Sequence, residues 1–509
     1  MAESERKGAP SFAFRAAVAI ALMIGFYALA LGIVALSIYL PYAELHYANR
    51  IYPELLIVGI VMVYSILKGC IFISAPFVAP GPQVRGEDEP RLFQNIRDVA
   101  EKIKTRMPDA VYLIPDVNAF VAEVGGFMGM GTRRIMAVGL GLLAVDSVGS
   151  FKATIAHEFG HYLGGDTTLG GFIYRVRESM IRVVENLGDS WLAKPFEWYA
   201  MLFLRITHSI SRQQELAADR ASVEIAGKEA HIAGLRSEMK AGLLYSGFLD
   251  NEMAPIIEEG RFPSNLYQGL RTYMKSHHDE GLEEKLEKAI MEQKTDPYDT
   301  HPSLSERLAY AESLPDPHIK DEEEPALSLL KDPRAAEVEV STFMASSIPV
   351  EKKLVPIEWD DVSHEVHVPR ARRYSEEYLK QLREAYKKAQ SPCEILITLM
   401  DEIKREDIVV LAERIIGGKA PAGTPPGEVK ELAQSFLMSL LAMVTGAALT
   451  EKGGTWQTAV GKSLSVRFQG EECEIFKWAE EAVRDTSKMP ELEKRLEALG
   501  IKAPSSPGS

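Results

Sequence analysis

Cysteine is nearly absent from this chain: there are three in 509 residues, Cys70, Cys393 and Cys473, scattered and without a C-x-x-C spacing. That argues against a disulfide framework and fits a reducing compartment. Positive charge is also in deficit, with 57 Lys and Arg against 72 Asp and Glu and a net charge of −15, so no extended nucleic-acid surface is expected. No internal repeat is visible. The stretch from Ala16 to Leu40 has no charge at all over 25 residues, more than the roughly 20 needed to cross a bilayer. It is too long for a signal-peptide core and lacks an Ala-x-Ala-like cut site.

A second apolar stretch runs from Leu55 to Val78, broken by Lys68. A lysine in mid-bilayer costs about 2.5–3.5 kcal/mol, so Lys68 is expected to snorkel to the nearer surface or to face protein. Arg6, Lys7 and Arg15 precede the first stretch, and Arg85, Arg91 and Arg97 follow the second, whereas the connection offers only Arg50. The positive-inside rule then places the N-terminus and everything after about residue 80 in the cytoplasm, with two spans between.

Against these absences stands one dense motif, His157-Glu158-Phe159-Gly160-His161, inside an apolar, helix-compatible segment. Residues four apart on an α-helix project from one face, so His157 and His161 can grip one Zn²⁺ while Glu158 sits beside the metal as a general base. A third ligand is available in Glu215, 54 residues after His161, with Asp219 one turn further on. Asp219 can accept the spare ring N–H of a ligand histidine and fix its tautomer. Two His, one Glu and a water make an open, catalytic type of zinc site, with one ion per chain. His208, His231, His277, His278, His318, His364 and His367 show no ligand spacing and read as surface or packing residues.

The fold class reads as mainly α with a small β-sheet. Residues 1–15 form a cytoplasmic N-terminus, 16–78 a transmembrane helical hairpin, and 85–315 a metal-binding domain. A linker at 316–350, marked by the acidic run Asp321–Glu324, leads to a mostly helical region at 351–500 and a tail at 501–509 of disordered composition. Pro90–Lys104 reads as an amphipathic helix, Val111–Ile114, Asn118–Val124 and Arg134–Leu140 as strands, and the segment from Pro195 to about Ile225 as a helix carrying Glu215. Ser147 or Ser150 can cap the motif helix, and Gly164-Gly165 is expected to end it. Further helices are expected near 375–390, 402–417, 427–450 and 471–484. Leu432–Thr450 is uncharged but diluted by Gln434, Ser435, Ser439 and Thr445, and reads as a buried helix rather than a third span.

Together these residues resemble the HtpX-like and CAAX-prenyl-endopeptidase family of membrane zinc metalloproteases. The likeness covers about residues 10–315. It rests on the paired apolar stretches, Asn118-Ala119-Phe120, the Ile135–Leu143 strand, the H-E-x-x-H motif followed by Asp166, the Glu215-x-x-x-Asp219 pair, and Thr300-His301-Pro302 leading to Arg307. It implies a zincin-like cytoplasmic domain with His157, His161 and Glu215 as zinc ligands and Glu158 as base. Asp166 and Asp219 would be supporting carboxylates, and His301 a stabiliser of the oxyanion. Residues 165–210 do not read as the two further spans usual in such enzymes, and the region beyond about 325 has no counterpart in the family.

The expected activity is zinc-dependent endopeptidase action on unfolded or membrane-proximal polypeptides, in quality control or processing. The strand at Met136, Ala137 and Val138 is the expected edge for an extended peptide. The competing readings are a catalytically silent membrane scaffold and a zinc hydrolase of non-peptide amides.

Overall fold

The structure, a computed structural model, describes residues 12–50, 52–70, 77–124, 133–162, 167–188, 190–277, 284, 287–288, 302–350, 353–419 and 424–502. Contacts divide the chain into two units, Met1–Leu243 with Glu280–Met344, and Leu244–Asp279 with Ala345–Ser509. Residues 244–279, expected inside the metal-binding domain, thus group with the C-terminal region.

In the first unit the apolar N-terminal stretch forms α1 (Phe12–Ala43), and α2 (Pro53–Cys70) follows. Both present apolar side chains outward, among them Ile24, Leu31, Ile38, Ile57 and Ile60. Their inner faces pack on α6 (Thr167–Leu187) and on the start of α7 (Lys194–Ala226), where Met23, Phe26, Met62, Ile66, Val183, Phe196 and Phe203 form one buried cluster. Gly69 lets α2 and α6 meet, since a Cβ there would lie 2.5 Å from Val183 Cγ2. Ser65 and Asn186 exchange hydrogen bonds at 3.3 Å. Lys68 lies over the Tyr64 ring, 5.7 Å from its centroid, a cation–π contact. The segment 165–210 thus adds two helices to the bundle without being apolar enough to count as spans. Trp191 and Trp198 stand exposed at and just beyond its turn.

A four-stranded sheet follows: β1 (Gln83–Val84), β2 (Ala110–Ile114), β3 (Ala119–Val124) and β4 (Arg133–Gly139), in the order β1-β2-β4-β3. β4 pairs with β2 in parallel, Val111 opposite Met136, and with β3 antiparallel, Val121 opposite Met136. This corrects the expected substrate edge. Met136, Ala137 and Val138 lie in an interior strand with hydrogen-bonded neighbours on both sides, and a strand so enclosed has no free backbone to offer. The open edge beside β4 is β3. Helix α3 (Pro90–Ile103) buries Leu92, Ile96, Val99, Ala100 and Ile103 along one face, with Pro90 in its first turn.

The expected linker is also corrected. Residues 326–329 form a 3₁₀ turn and Pro333–Ser347 a helix, and the acidic run is strapped across the start of α5 (Val148–Gly160). The amides of Val148 and Gly149 donate to the carbonyls of Glu324 and Glu322 at 2.7 and 3.0 Å, and Lys152 pairs with Glu322 at 2.5 Å. Carbonyls and carboxylates suit a helix N-terminus, where amides are unpaired and the dipole is positive.

In the second unit, helices at Val368–Ala385, Pro392–Arg405, Ile408–Ile416, Pro426–Glu451, Ile475–Arg484 and Met489–Ala498 enclose an apolar core with Leu399, Leu437, Leu441, Val444, Leu449 and Val483. Two small sheets, not foreseen in this region, accompany them: Arg261–Pro263 pairs in parallel with Val355–Ile357, and a three-stranded meander spans Thr455–Cys473. The meander places residues 471–473 in a strand where a helix was expected. Gln469 and Gly470, both at positive φ, make the two-residue turn of its last hairpin. Among the described residues three helices are long and apolar enough to cross a membrane, at Ala17–Ala48, Pro53–Cys70 and Pro426–Glu451. The third has 61% of its apolar window buried in protein, against 22% and 28% for the others, in keeping with its reading as a core helix.

Candidate metal centre

Helix α5 starts at Ser147, whose Oγ accepts from the Ser150 amide at 3.0 Å. The face it turns to α7 carries the small residues Ala153 and Gly160, Gly160 opposite Ala218 and Ala221 and Ala153 beside Ser222. A Cβ on Gly160 would lie 2.9 Å from Ala218 Cα, so the two backbones approach more closely than any larger residue permits. Ser222 Oγ donates to the Ala153 carbonyl at 2.7 Å and pins that approach. The consequence is chemical: Glu215, one turn before Asp219 on α7, reaches both motif histidines.

His157 Nε2 lies 3.2 Å from His161 Nε2 and 3.4 Å from Glu215 Oε2, while His161 Nε2 lies 3.7 Å from Glu215 Oε1. Zinc bonds of about 2.0–2.1 Å at tetrahedral angles set ligand atoms about 3.3 Å apart, so this triangle has the size of a zinc face. Two imidazole nitrogens and a carboxylate turned toward one point are the donor set of an open His₂Glu site, and the residues fit the ion. Asp361, His364 and Glu365 also lie close together, but all three are exposed.

Asp219, fully buried, accepts from His157 Nδ1 at 3.0 Å and from Arg307 Nη2 and Nε at 2.6 and 3.1 Å. With Nδ1–H held by Asp219, Nε2 is the nitrogen that would face an ion once it gives up its proton, the tautomer a metal ligand needs. Burial alone would raise the Asp219 carboxyl, but hydrogen bonds from His157 and Arg307 outweigh it and hold the group well below the carboxylate range. Burial pulls His157 down, yet its bonds to Asp219 and Glu215 lift it to about 9. Burial pushes Glu158 up to about 7, against the opposing pull of His157 and of the Val121 amide, which donates to its Oε2 at 3.4 Å.

The cleft around these groups holds about 330 Å³. One wall is the edge strand, through Asn118, Ala119 and Phe120; another is α8 (Lys228–Phe248), through His231, Gly234, Leu235 and Glu238. At Val121 the backbone faces off the sheet, its amide to Glu158 and its carbonyl to the Tyr162 hydroxyl at 2.9 Å. Several cleft residues escaped the sequence reading, Glu238 on α8 among them. Arg307, seen there only as the end of a pattern, is the partner of Asp219. His231, taken for a surface or packing residue, is buried with Nδ1 2.9 Å from Ser222 Oγ and Nε2 3.5 Å from Asp219, and burial lowers it to about 4, leaving it neutral. Its spacing from the motif carries no signal; only its place on the α8 face does. Asp166, His301 and Gly164-Gly165 lie outside the described residues.

Residues 87–314, which hold every group of this centre, match the sequence profile of peptidase family M48. The chain is 29% identical over 171 residues to the protease HtpX of Idiomarina loihiensis, covering 30% of this chain and 58% of that protein. It is 31% identical over 183 residues to the protease HtpX of Pectobacterium carotovorum, and 30% identical over 184 to that of Klebsiella pneumoniae, covering 30% of this chain and 60% of each. The chain thus spans about 60% of the length of the curated relatives it matches. No solved structure matches it.

Proposed function

We propose that the chain is a membrane-anchored zinc endopeptidase in which His157, His161 and Glu215 hold one Zn²⁺ and Glu158 is the general base. The observation that carries this is the triangle of donor atoms 3.2–3.7 Å apart with a buried carboxylate beside it. The ion would supply Lewis acidity, bringing the pKa of its water to about 7 and polarising the scissile carbonyl. Glu158, held near neutrality by burial and aimed by the Val121 amide, takes the proton of the attacking water and passes it to the leaving amine nitrogen. Asp219 and Arg307 keep His157 in its ligand tautomer. An extended polypeptide adds to the open β3 edge beside the cleft, a mode that reads backbone and suits unfolded chains. Asp166 as a supporting carboxylate and His301 as oxyanion stabiliser rest on the family resemblance.

In this reading α1 and α2 span the bilayer, with the N-terminus and the M48 domain on the cytoplasmic side. The α6–α7 hairpin, packed on both spans, dips toward the inner leaflet with Trp191 and Trp198 at the interface. The substrates are unfolded or membrane-proximal proteins. The test is degradation of an unfolded protein by the zinc-loaded chain in detergent, beside Glu158→Gln. Glu158→Gln should keep one zinc and lose cleavage by about 10²–10⁴-fold. Equal cleavage by both would sink the assignment. A wild type that holds zinc and cleaves nothing favours the scaffold reading.

A further inference from the structure

The cleft contains a carboxylate that the proposed reaction does not use. On α8, His231, Gly234, Leu235 and Glu238 follow one another at helical spacing and form a continuous wall. Glu238 is fixed through one oxygen, which accepts from the Thr154 hydroxyl. Thr154 sits on α5, one turn before His157 and Glu158, so Glu238 stands about one helical turn, roughly 5 Å, from the metal ligands along that axis. Its second oxygen has no protein partner among the described residues and is not sealed in protein; it faces the cleft. The nearby cation, Arg307, is committed to Asp219.

We infer that Glu238 forms a specificity subsite for a cationic side chain, lysine or arginine, beside the scissile bond of the substrate. The inference rests on the endopeptidase reading above. Leu235 and Gly234 leave an apolar strip for the aliphatic stem, and the free Glu238 oxygen meets the charged head. Behind the wall, buried Asp146 is tied to the Ser237 hydroxyl. Burial raises the Glu238 carboxyl when nothing cationic faces it, a cost that an arriving cation relieves. A second metal ion is a poorer occupant, because Glu238 belongs to neither of the metal-ligating groups found among the described residues.

Two measurements test this on the full zinc-loaded chain in detergent. The first is binding to the cleavage-silent Glu158→Gln protein of two labelled peptides differing only in lysine against norleucine next to the scissile bond. The lysine peptide should bind about tenfold more tightly, a preference that falls to within about twofold when Glu238→Gln is added. Glutamine keeps the side-chain length and an oxygen for Thr154. The second is kcat/KM of the wild type and Glu238→Gln on the same pair, where the lysine preference should fall in parallel. Glu238→Lys should turn the preference toward a glutamate peptide. A preference that survives Glu238→Gln, or that never exists, overturns the subsite. If binding shows the Glu238-dependent preference but the wild type cleaves neither peptide, the subsite stands and the endopeptidase reading falls.

Discussion

Two helix interfaces in this chain are built to opposite rules. Where α5 meets α7, the closest approach is made by small residues, Gly160 against Ala218 and Ala221 and the Ser222 hydroxyl on the Ala153 carbonyl. At the heart of the C-terminal unit, Pro426–Glu451 buries Leu437, Leu440, Leu441, Val444 and Leu449 against its neighbours. The second interface gains free energy from apolar burial, about 25 cal/mol per Å². The first gains proximity instead: it brings together three groups that could hold a metal ion and the Asp219–Arg307 pair, at a cost in desolvation that such an ion would offset. A helix pair that must hold charge together is thin in hydrophobic content for a steric reason.

The largest break in this contrast should come from Gly160→Leu. The bulk must displace α7 and carry Glu215 away, so zinc measured by mass spectrometry is expected to fall from one per chain to near zero, with activity following. One tightly held zinc in that variant would show that the close approach is not what builds the site. Next is Asp219→Asn, which keeps the shape but leaves Arg307 buried without its counter-charge and lets His157 take the other tautomer. Zinc affinity in a chelator competition should drop about 10–100-fold, and breaking the buried pair should cost about 3–5 kcal/mol of stability. Unchanged affinity would assign the tautomer to another group.

Leu441→Ala sharpens the comparison from the other side. A fully buried leucine in the C-terminal core should cost about 2–5 kcal/mol on truncation, seen as a lower unfolding midpoint, while zinc affinity of the folded protein stays put. The smallest expected effect concerns Asp146, which is 4% exposed, has Oδ2 unpaired, and is raised to about 8 by burial first and then by Glu238. A carboxyl whose folded pKa lies above its unfolded value destabilises as pH climbs between the two. The wild type should therefore lose stability from about pH 4 to about 8. Asp146→Asn, which can still accept from Ser237, should flatten that slope and gain about 1–3 kcal/mol at pH 8 over pH 5. Parallel pH profiles of the two proteins would remove Asp146 as the cause.

Some of this is legible in the sequence alone. The motif helix, a serine cap at Ser147 or Ser150, the long helix carrying Glu215 and the two apolar helices follow from local rules: helical spacing, capping chemistry and uncharged length. The interior place of β4 has a trace in the sequence. Ile135–Leu140 is an unbroken apolar run, as enclosed strands tend to be, whereas Ala119–Val124 carries Glu123 and is half exposed, as an edge is. The acidic strap over α5, the small sheets of the C-terminal unit, and His231 and Glu238 in the cleft left no such trace, because their partners lie tens of residues or more away in the chain.

The sequence by itself determined the donor types and their helical phase, since i, i+4 spacing and an uncharged 25-residue run act through geometry that no fold can alter. Only the tertiary structure decided which strand is the open edge, how near Glu215 comes to the histidines, and which carboxylates face the cleft. Those depend on how closely α5, α7 and α8 approach one another. That approach is set by packing of side chains distant in sequence, with Gly160 against Ala218 as its narrowest point.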